Sequence, residues 1–442
     1  MIQLSDHFDY RKLLRFTLPT IVMLIFTSIY GVVDGIFVSN FVGKTPFAAV
    51  NLIMPFLMAF GTVGFMIGTG GSAIVAKTLG EKNIKNANRY FTMMVQTAVI
   101  CGILLTIIGL LFIRPIASAL GAEGEMLDYC VVYGGILLAT LTFFILQNVF
   151  QSFLVTAERP NLGLLLTIGA GVTNMIFDYL LIVVFPLGIA GAAIATGISQ
   201  IVGGAIPLFY FMCPNKSSLR LVPTKIEWSI LVKASINGSS EMLSNLSQSL
   251  VSMLYNFQLI RIAGENGVAA YGVIMYANFI FTGVFFGYSI GSASIFGYHY
   301  GAGNHDELKN LFRKSLCLTG IWSVGLTALA ILFSTPLARI FVGYDASLLS
   351  LTSHGFCLYA LSFLFMGFNV FGSAFFTALN NGVVSAVISF LRALVFQVAF
   401  ILILPFFFQT DGIWLAISGA EITTLFLTVF FFITRAKQYN YI

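Results

Sequence analysis

Of the 17 acidic residues in this chain, four lie inside long apolar runs: Asp34, Asp178, Glu241 and Glu421. One basic residue, Arg392, does the same. A charge held at membrane depth costs at least about 2.5–3.5 kcal/mol, so each of these groups needs a partner or a task. Asn174 stands four residues before Asp178 and therefore shares its helix face, one turn away. By helix rise, Asp34 lies about 10–13 Å below the outer end of the first run, Asp178 about 10 Å below that of the fifth, and Thr196 about 12 Å into the sixth. Two carboxylates, an amide and a hydroxyl thus reach one depth. All are hard oxygen donors. Such a set suits Na+, or a proton shared between close carboxylates. It does not suit zinc, which favours His and Cys.

The second half offers a different set. Glu241 lies about 12–16 Å above the inner face and Arg392 about 14 Å, so the two are expected to form an ion pair, which costs less than two lone charges. Glu421 is a further candidate for coupling or for fixing helix packing, and Asn369 supplies an amide in the tenth run. Gln147, Asn148 and Gln151 in the fourth run, and Asn256 and Gln258 in the seventh, are expected to line a cavity, because polar groups avoid lipid. With 45 Phe and 14 Met in the chain, such a cavity would suit apolar cations through ring faces and adaptable packing. Cys101, Cys130, Cys213, Cys317 and Cys357 show no pairing or metal spacing, and the four histidines do not cluster. No nucleophile–base pair accompanies the buried acids, so no enzyme and no cofactor are expected.

The elements that hold these groups follow from composition. Hydrophobic residues are 58% of the 442 and charged residues 9%, whereas a soluble chain carries about 25% charge. Twelve apolar runs are long enough to cross a core of about 30 Å as helices. They cover roughly 13–40, 46–76, 90–113, 131–156, 161–185, 188–212, 230–260, 267–298, 312–334, 352–378, 383–408 and 411–434. The expected fold is an all-α polytopic membrane protein without a cleaved leader. Most of the 22 Lys and Arg residues, among them Arg11, Lys77, Arg89, Lys216, Lys309 and Arg435, fall on one alternate set of connections. The other set holds only Lys44, Arg114, Arg261 and Arg339. This asymmetry predicts a plasma or inner membrane protein with both termini cytoplasmic. The net charge of +5 therefore reports topology and gives no footprint for nucleic acid.

The chain also repeats itself at an offset of 221 residues, half its length. Asn148-Val149-Phe150-Gln151-Ser152 returns as Asn369-Val370-Phe371-Gly372-Ser373, and Thr156-Ala157 as Thr377-Ala378. Gly80, Asn83, Phe112 and Pro115 fall on Gly301, Asn304, Phe333 and Pro336. Six spans per half make the repeat parallel, with helices 1–6 in residues 1–212, a cytoplasmic linker at 213–229 and helices 7–12 in residues 230–442. Two such halves suggest a transporter with two bundles that rock. The chain has no G-x-x-x-x-G-K-[ST] loop, so an ion gradient must drive it.

Pro19 and Asp34 in the first span, Thr173-Asn174-Met175-Ile176-Phe177-Asp178 in the fifth, Gly188-Ile189-Ala190-Gly191-Ala192-Ala193-Ile194-Ala195-Thr196 in the sixth, and Gly80 with Asn83 carry a family resemblance. Over essentially its whole length the chain resembles the multidrug and toxic compound extrusion (MATE) family. The resemblance implies a V-shaped pair of six-helix lobes and a cation site at Asp34, Asn174, Asp178 and Thr196. It implies export of bulky, often cationic, drug-like compounds in exchange for Na+ or H+, by a monomer in the lipid bilayer. A flippase for lipid-linked saccharides shares the plan and is the alternative. The second half departs from the first, since Asp34, Asn174 and Asp178 fall on Tyr255, Val395 and Ala399. Some family members use an acid in the seventh span with an Asp in the tenth; here the seventh span has Glu241, but the tenth offers the amide Asn369, which argues against a complete second cation site. Pro19 and Gly31 mark the first span for a bend.

Overall fold

In the computed structural model, residues 2–343 and 345–442 are described; the side chains of Ile36, Ser39, Asn40 and Lys44, the last counted above among the basic residues, lie outside the described set. Hydrocarbon cannot hydrogen-bond a peptide group, so the apolar runs satisfy their backbones internally as helices. The helices are α1 (Tyr10–Phe37), α2 (Lys44–Gly80), α3 (Ile84–Ala119), α4 (Gly124–Thr156), α5 (Pro160–Asp178), α6 (Gly188–Met212) and α7 (Trp228–Gly301). They continue as α8 (His305–Leu332), α9 (Ser334–Val342), α10 (Ala346–Ala360), α11 (Phe363–Ala378), α12 (Gly382–Phe390), α13 (Gln397–Ile403) and α14 (Pro405–Tyr439). Three π-helical turns interrupt them, at Val38–Val42, Tyr179–Val184 and Leu391–Phe396.

Among the described residues, ten helices are long and apolar enough to cross a membrane, and α10 with α11, bent by 48°, supplies an eleventh crossing. The 74 residues of α7 would reach about 110 Å if straight, far more than a bilayer needs. The helix reverses at Gly264, whose φ of 65° and ψ of −155° suit only glycine. That break makes two crossings of one element and brings the total to the expected twelve. Large apolar side chains such as Leu111, Ile340, Phe406, Phe407 and Phe426 are exposed along the helices, as a lipid-facing surface requires. The protein is a multi-pass membrane protein. The bend at Leu361–Ser362 carries no Pro or Gly and left no mark in the sequence. The first span, by contrast, runs as one helix through Pro19 and Gly31, and its irregular stretch follows at Val38–Val42.

The repeat has a structural cause at several positions. Asn83 and Asn304 each cap a helix start, accepting from the amides of Asn86 and Glu307 at 3.1 Å. Phe150 stacks on Phe211 at 5.7 Å, and its counterpart Phe371 packs with Phe296 at 5.8 Å and Phe375 at 5.8 Å.

The chain folds into two compact units. One is Phe26–Gly238; the other joins the residues up to Ile25 with Ser239–Ile442. In the first, α4 is central, packed on α2, α3 and α6. Gly64 and Gly68 of α2 lie against the backbone of α4 at Ile145, Asn148 and Val149, so small residues set the spacing. In the second, Tyr255 and Tyr271 stack at 4.9 Å beside the buried Trp414 and Tyr359. The first part of α1 lies in this unit because α7 presents Gly283, Gly287 and Gly291 at successive turns. Ile25, Ile21 and Thr17 of α1 seat on them. Ahead of α1, the Phe8 amide donates to Glu307 Oε1 at 2.9 Å, and Lys314 Nζ donates to the Phe8 carbonyl at 2.7 Å. A Cβ on Gly287 would stand 2.5 Å from the Ile21 Cα, where only backbone could give way. Gly287→Leu should therefore lose about 1–3 kcal/mol of stability and melt earlier in detergent. Gly272→Ala, with open space around it, should melt like the wild type; equal melting of all three proteins would refute this packing.

Candidate cation site

Asp34 sits in the last turn of α1, just ahead of the π-helical turn Val38–Val42. Asp178 closes α5 immediately before the π-helical turn Tyr179–Val184. Such turns widen a helix and disturb its hydrogen-bond ladder, and they are frequent at functional sites. Glycines let the helices approach. A Cβ on Gly171 would meet the rings of Phe26 and Tyr30 on α1 at 2.6 and 3.1 Å, and one on Gly191 of α6 would meet the Leu181 carbonyl at 2.7 Å. The Ser199 hydroxyl ties α6 to α5, donating to the Ala170 carbonyl at 2.8 Å.

This packing brings the four predicted oxygen donors together. The Asp34 carboxyl meets the Asp178 carboxyl and the Asn174 amide. Asn174 Nδ2 donates to Thr196 Oγ1 at 3.4 Å. Asp178 and Asn174 are buried and Asp34 is half-buried. Asp34 Oδ1, both oxygens of Asp178 and Asn174 Oδ1 are buried without a hydrogen-bond partner. Two carboxylates in contact repel unless a cation or a shared proton intervenes. The donors are carboxylate, amide and hydroxyl oxygens, which fit Na+ or a proton. Tyr133 of α4 is a member that the sequence did not mark. Its hydroxyl reaches Thr196, and it lies in the field of both acids. Nothing sets it apart among 17 tyrosines.

The acids of the second unit are arranged otherwise. Arg392 lies in the π-helical turn Leu391–Phe396 and pairs with Glu421, Nη1 to Oε1 at 3.1 Å. The expected pair of Arg392 with Glu241 is thus corrected. Glu241 is half-buried and within electrostatic reach of Arg392, but α14 delivers Glu421 to the guanidinium at hydrogen-bond distance. Asn369 Nδ2 donates to Glu421 Oε2 at 2.7 Å and to the Glu421 carbonyl at 2.8 Å. Thr428 donates to Asn369 Oδ1 at 2.9 Å. Depth along a helix is legible from sequence, but the direction a residue faces around it was not fixed for these two glutamates.

The remaining polar candidates scatter. Asn148 is buried against Gly64 and Gly68 of α2, Gln151 and Gln147 border a small crevice with α5 and α6, and Asn256 is exposed. Gln258 Nε2 donates to the Ile401 carbonyl at 3.3 Å.

The family model MatE matches residues 19–180 and again residues 242–403. The chain belongs to the MATE family of transporters. The double match accounts for the internal repeat; the first copy contains Asp34 and Asp178, whereas Glu241 stands just before the second copy and Glu421 beyond it. Among curated relatives, the multidrug export protein MepA of Staphylococcus saprophyticus subsp. saprophyticus is 23% identical over 375 residues, covering 81% of this chain and 80% of its own. Among solved structures, the outward-facing conformation of a multidrug resistance MATE family transporter of the MOP superfamily superposes with a TM-score of 0.92 at 23% identity, over 98% of this chain and 97% of its own. That likeness concerns the fold.

The unpartnered oxygens give a direct test. Purified wild-type protein should melt several degrees higher when choline is replaced by Na+ at constant ionic strength, or when pH is lowered, because a ligand of the folded state stabilises it by mass action. Asp34→Asn and Asp178→Asn should each remove that gain, and Thr196→Ala should reduce it. A gain of undiminished size in Asp34→Asn would place the responsive site elsewhere.

Proposed function

We propose that this protein is a secondary active exporter of bulky, drug-like organic compounds, often cationic, and that it works as a monomer in exchange for Na+ or H+. The observation that carries the reading is the group of buried oxygens at Asp34, Asn174 and Asp178 without a donor. The relatives named as multidrug export proteins support the substrate class. The alternative, a flippase for lipid-linked saccharides, finds no supporting feature among the buried groups.

Coupling follows from differential binding. A cation between Asp34 and Asp178 draws α1, α5 and α6 together, and its loss lets the two carboxylates push those helices apart. Export results when the cation and the drug favour different arrangements of these helices. The π-helical turns beside both acids are the soft segments that can absorb the change. The functional lobes are residues 1–212 and 230–442, with 213–229 as the linker on the cytoplasmic side. The bias of basic residues puts both termini in the cytoplasm of a cell with this protein in its plasma or inner membrane.

The deciding experiment is efflux from proteoliposomes under Na+ and pH gradients imposed separately. One gradient should drive export, and Asp34→Asn or Asp178→Asn should abolish it at normal insertion. Efflux that ignores both gradients would overturn the coupling scheme. Topology has its own check. Single cysteines at Asn86 and Asn310 in a cysteine-free background should react with impermeant maleimide only from the cytoplasmic side, and one at Gly124 only from outside. Labelling of 86 and 124 from one side would break the orientation.

A further inference from the structure

We infer that the second half of this chain carries its cation covalently: the guanidinium of Arg392 sits at Glu421 as a permanent counter-ion, leaving the Asp34–Asp178 set as the exchangeable site. The inference deepens the coupling scheme above and rests on that reading of the first set.

The two clusters share a donor inventory. The first has the Asp178 carboxyl, the Asn174 amide and the Thr196 hydroxyl; the second has the Glu421 carboxyl, the Asn369 amide and the Thr428 hydroxyl. They are not repeats of one another, since Asn174 corresponds to Val395 and Asn369 to Asn148 at the 221-residue offset. The same oxygen chemistry was assembled on different helices. What differs is the electrostatic state. In the first set the carboxylate oxygens of Asp178 and one of Asp34 have no partner. In the second, Glu421 Oε1 takes Arg392 at 3.1 Å, Oε2 takes Asn369 at 2.7 Å, and Asn369 Oδ1 takes Thr428 at 2.9 Å.

Arg392 is suited to stay. It is 8% exposed, its guanidinium carbon lies 6.0 Å from the Phe286 ring centroid, and arginine does not give up its proton in a protein. Its Nε has no partner, so Glu421 is the group that holds it. A diffusible ion cannot displace a cation tethered by its own backbone. Glu421 is therefore withdrawn from exchange, and Glu241 lies in the field of Arg392 without a hydrogen bond to it.

Removing the tether should create a second responsive site. In an Asp34→Asn background, where the first set no longer responds, adding Arg392→Met should restore a rise of a few degrees in melting temperature with Na+ or acid. Adding Glu421→Gln should remove that rise, and Glu241→Gln should not. An Asp34→Asn/Arg392→Met protein that folds yet ignores both cations would overturn the inference. The wild type supplies a readout that needs no variant. In hydrogen–deuterium exchange with and without the cation, peptides spanning 26–40 and 170–185 should change in protection, while those spanning 385–400 and 415–428 should not. Silence at the first pair would sink the exchangeable site itself; a response at the second pair would sink the tethered cation alone.

Discussion

Hydrocarbon offers no water to a carboxylate, so every acid inside this chain must be compensated by something the fold brings to it. That requirement organises the interior of both units. In one, two aspartates are brought together with an amide and a hydroxyl, and their oxygens are left open to a small cation. In the other, a glutamate is closed by an arginine and by an asparagine, which a threonine holds in turn. Opening a buried carboxylate costs stability, and closing it removes its capacity to respond. A transporter needs at least one open site, since an ion can shift an equilibrium only by binding two states unequally.

The packing around the open site is built for close approach. Gly171 and Gly191 bring α5 to α1 and α6 to the segment after α5, at distances no side chain would allow. Both aspartates stand at the ends of regular helix, each followed by a π-helical turn. A regular helix through these positions would hold the carboxyls at one spacing. A widened turn stores an alternative, because its hydrogen bonds can re-register by one residue at modest cost. The third π-helical turn holds Arg392, so among the described residues each of the three π-helical turns adjoins a charged group inside a span.

Much of this was legible in sequence for definite reasons. The spans could be read because hydrocarbon demands about twenty apolar residues per crossing, and the first cluster because Asp34, Asn174, Asp178 and Thr196 sit at calculable depths. What could not be read was direction around each helix. Arg392 has two glutamates in its field, and depth alone favoured Glu241; the packing of α14 chose Glu421. The break in α7 came from a single glycine at 264, and the bend between α10 and α11 from no special residue at all. The glycines at 283, 287 and 291 recur every fourth residue and so share one helix face, but packing alone fixes which helix they seat.

The repeat separates what the two halves must share from what they must not. Asn83 and Asn304 cap helices, and Phe150 and Phe371 fill cores; these positions recur because both halves need the same architecture. The charged groups do not recur. Had Asp34 and Asp178 been copied as acids rather than as Tyr255 and Ala399, each half would have its own open site and both would answer the same ion. With Arg392 fixed at Glu421, the coupling proposed above would let a change in cation act on one cluster and leave the other's charge unaltered. On that proposal ion binding would add free energy to one half only, and one-sided work of this kind can bias two otherwise similar bundles toward a single arrangement.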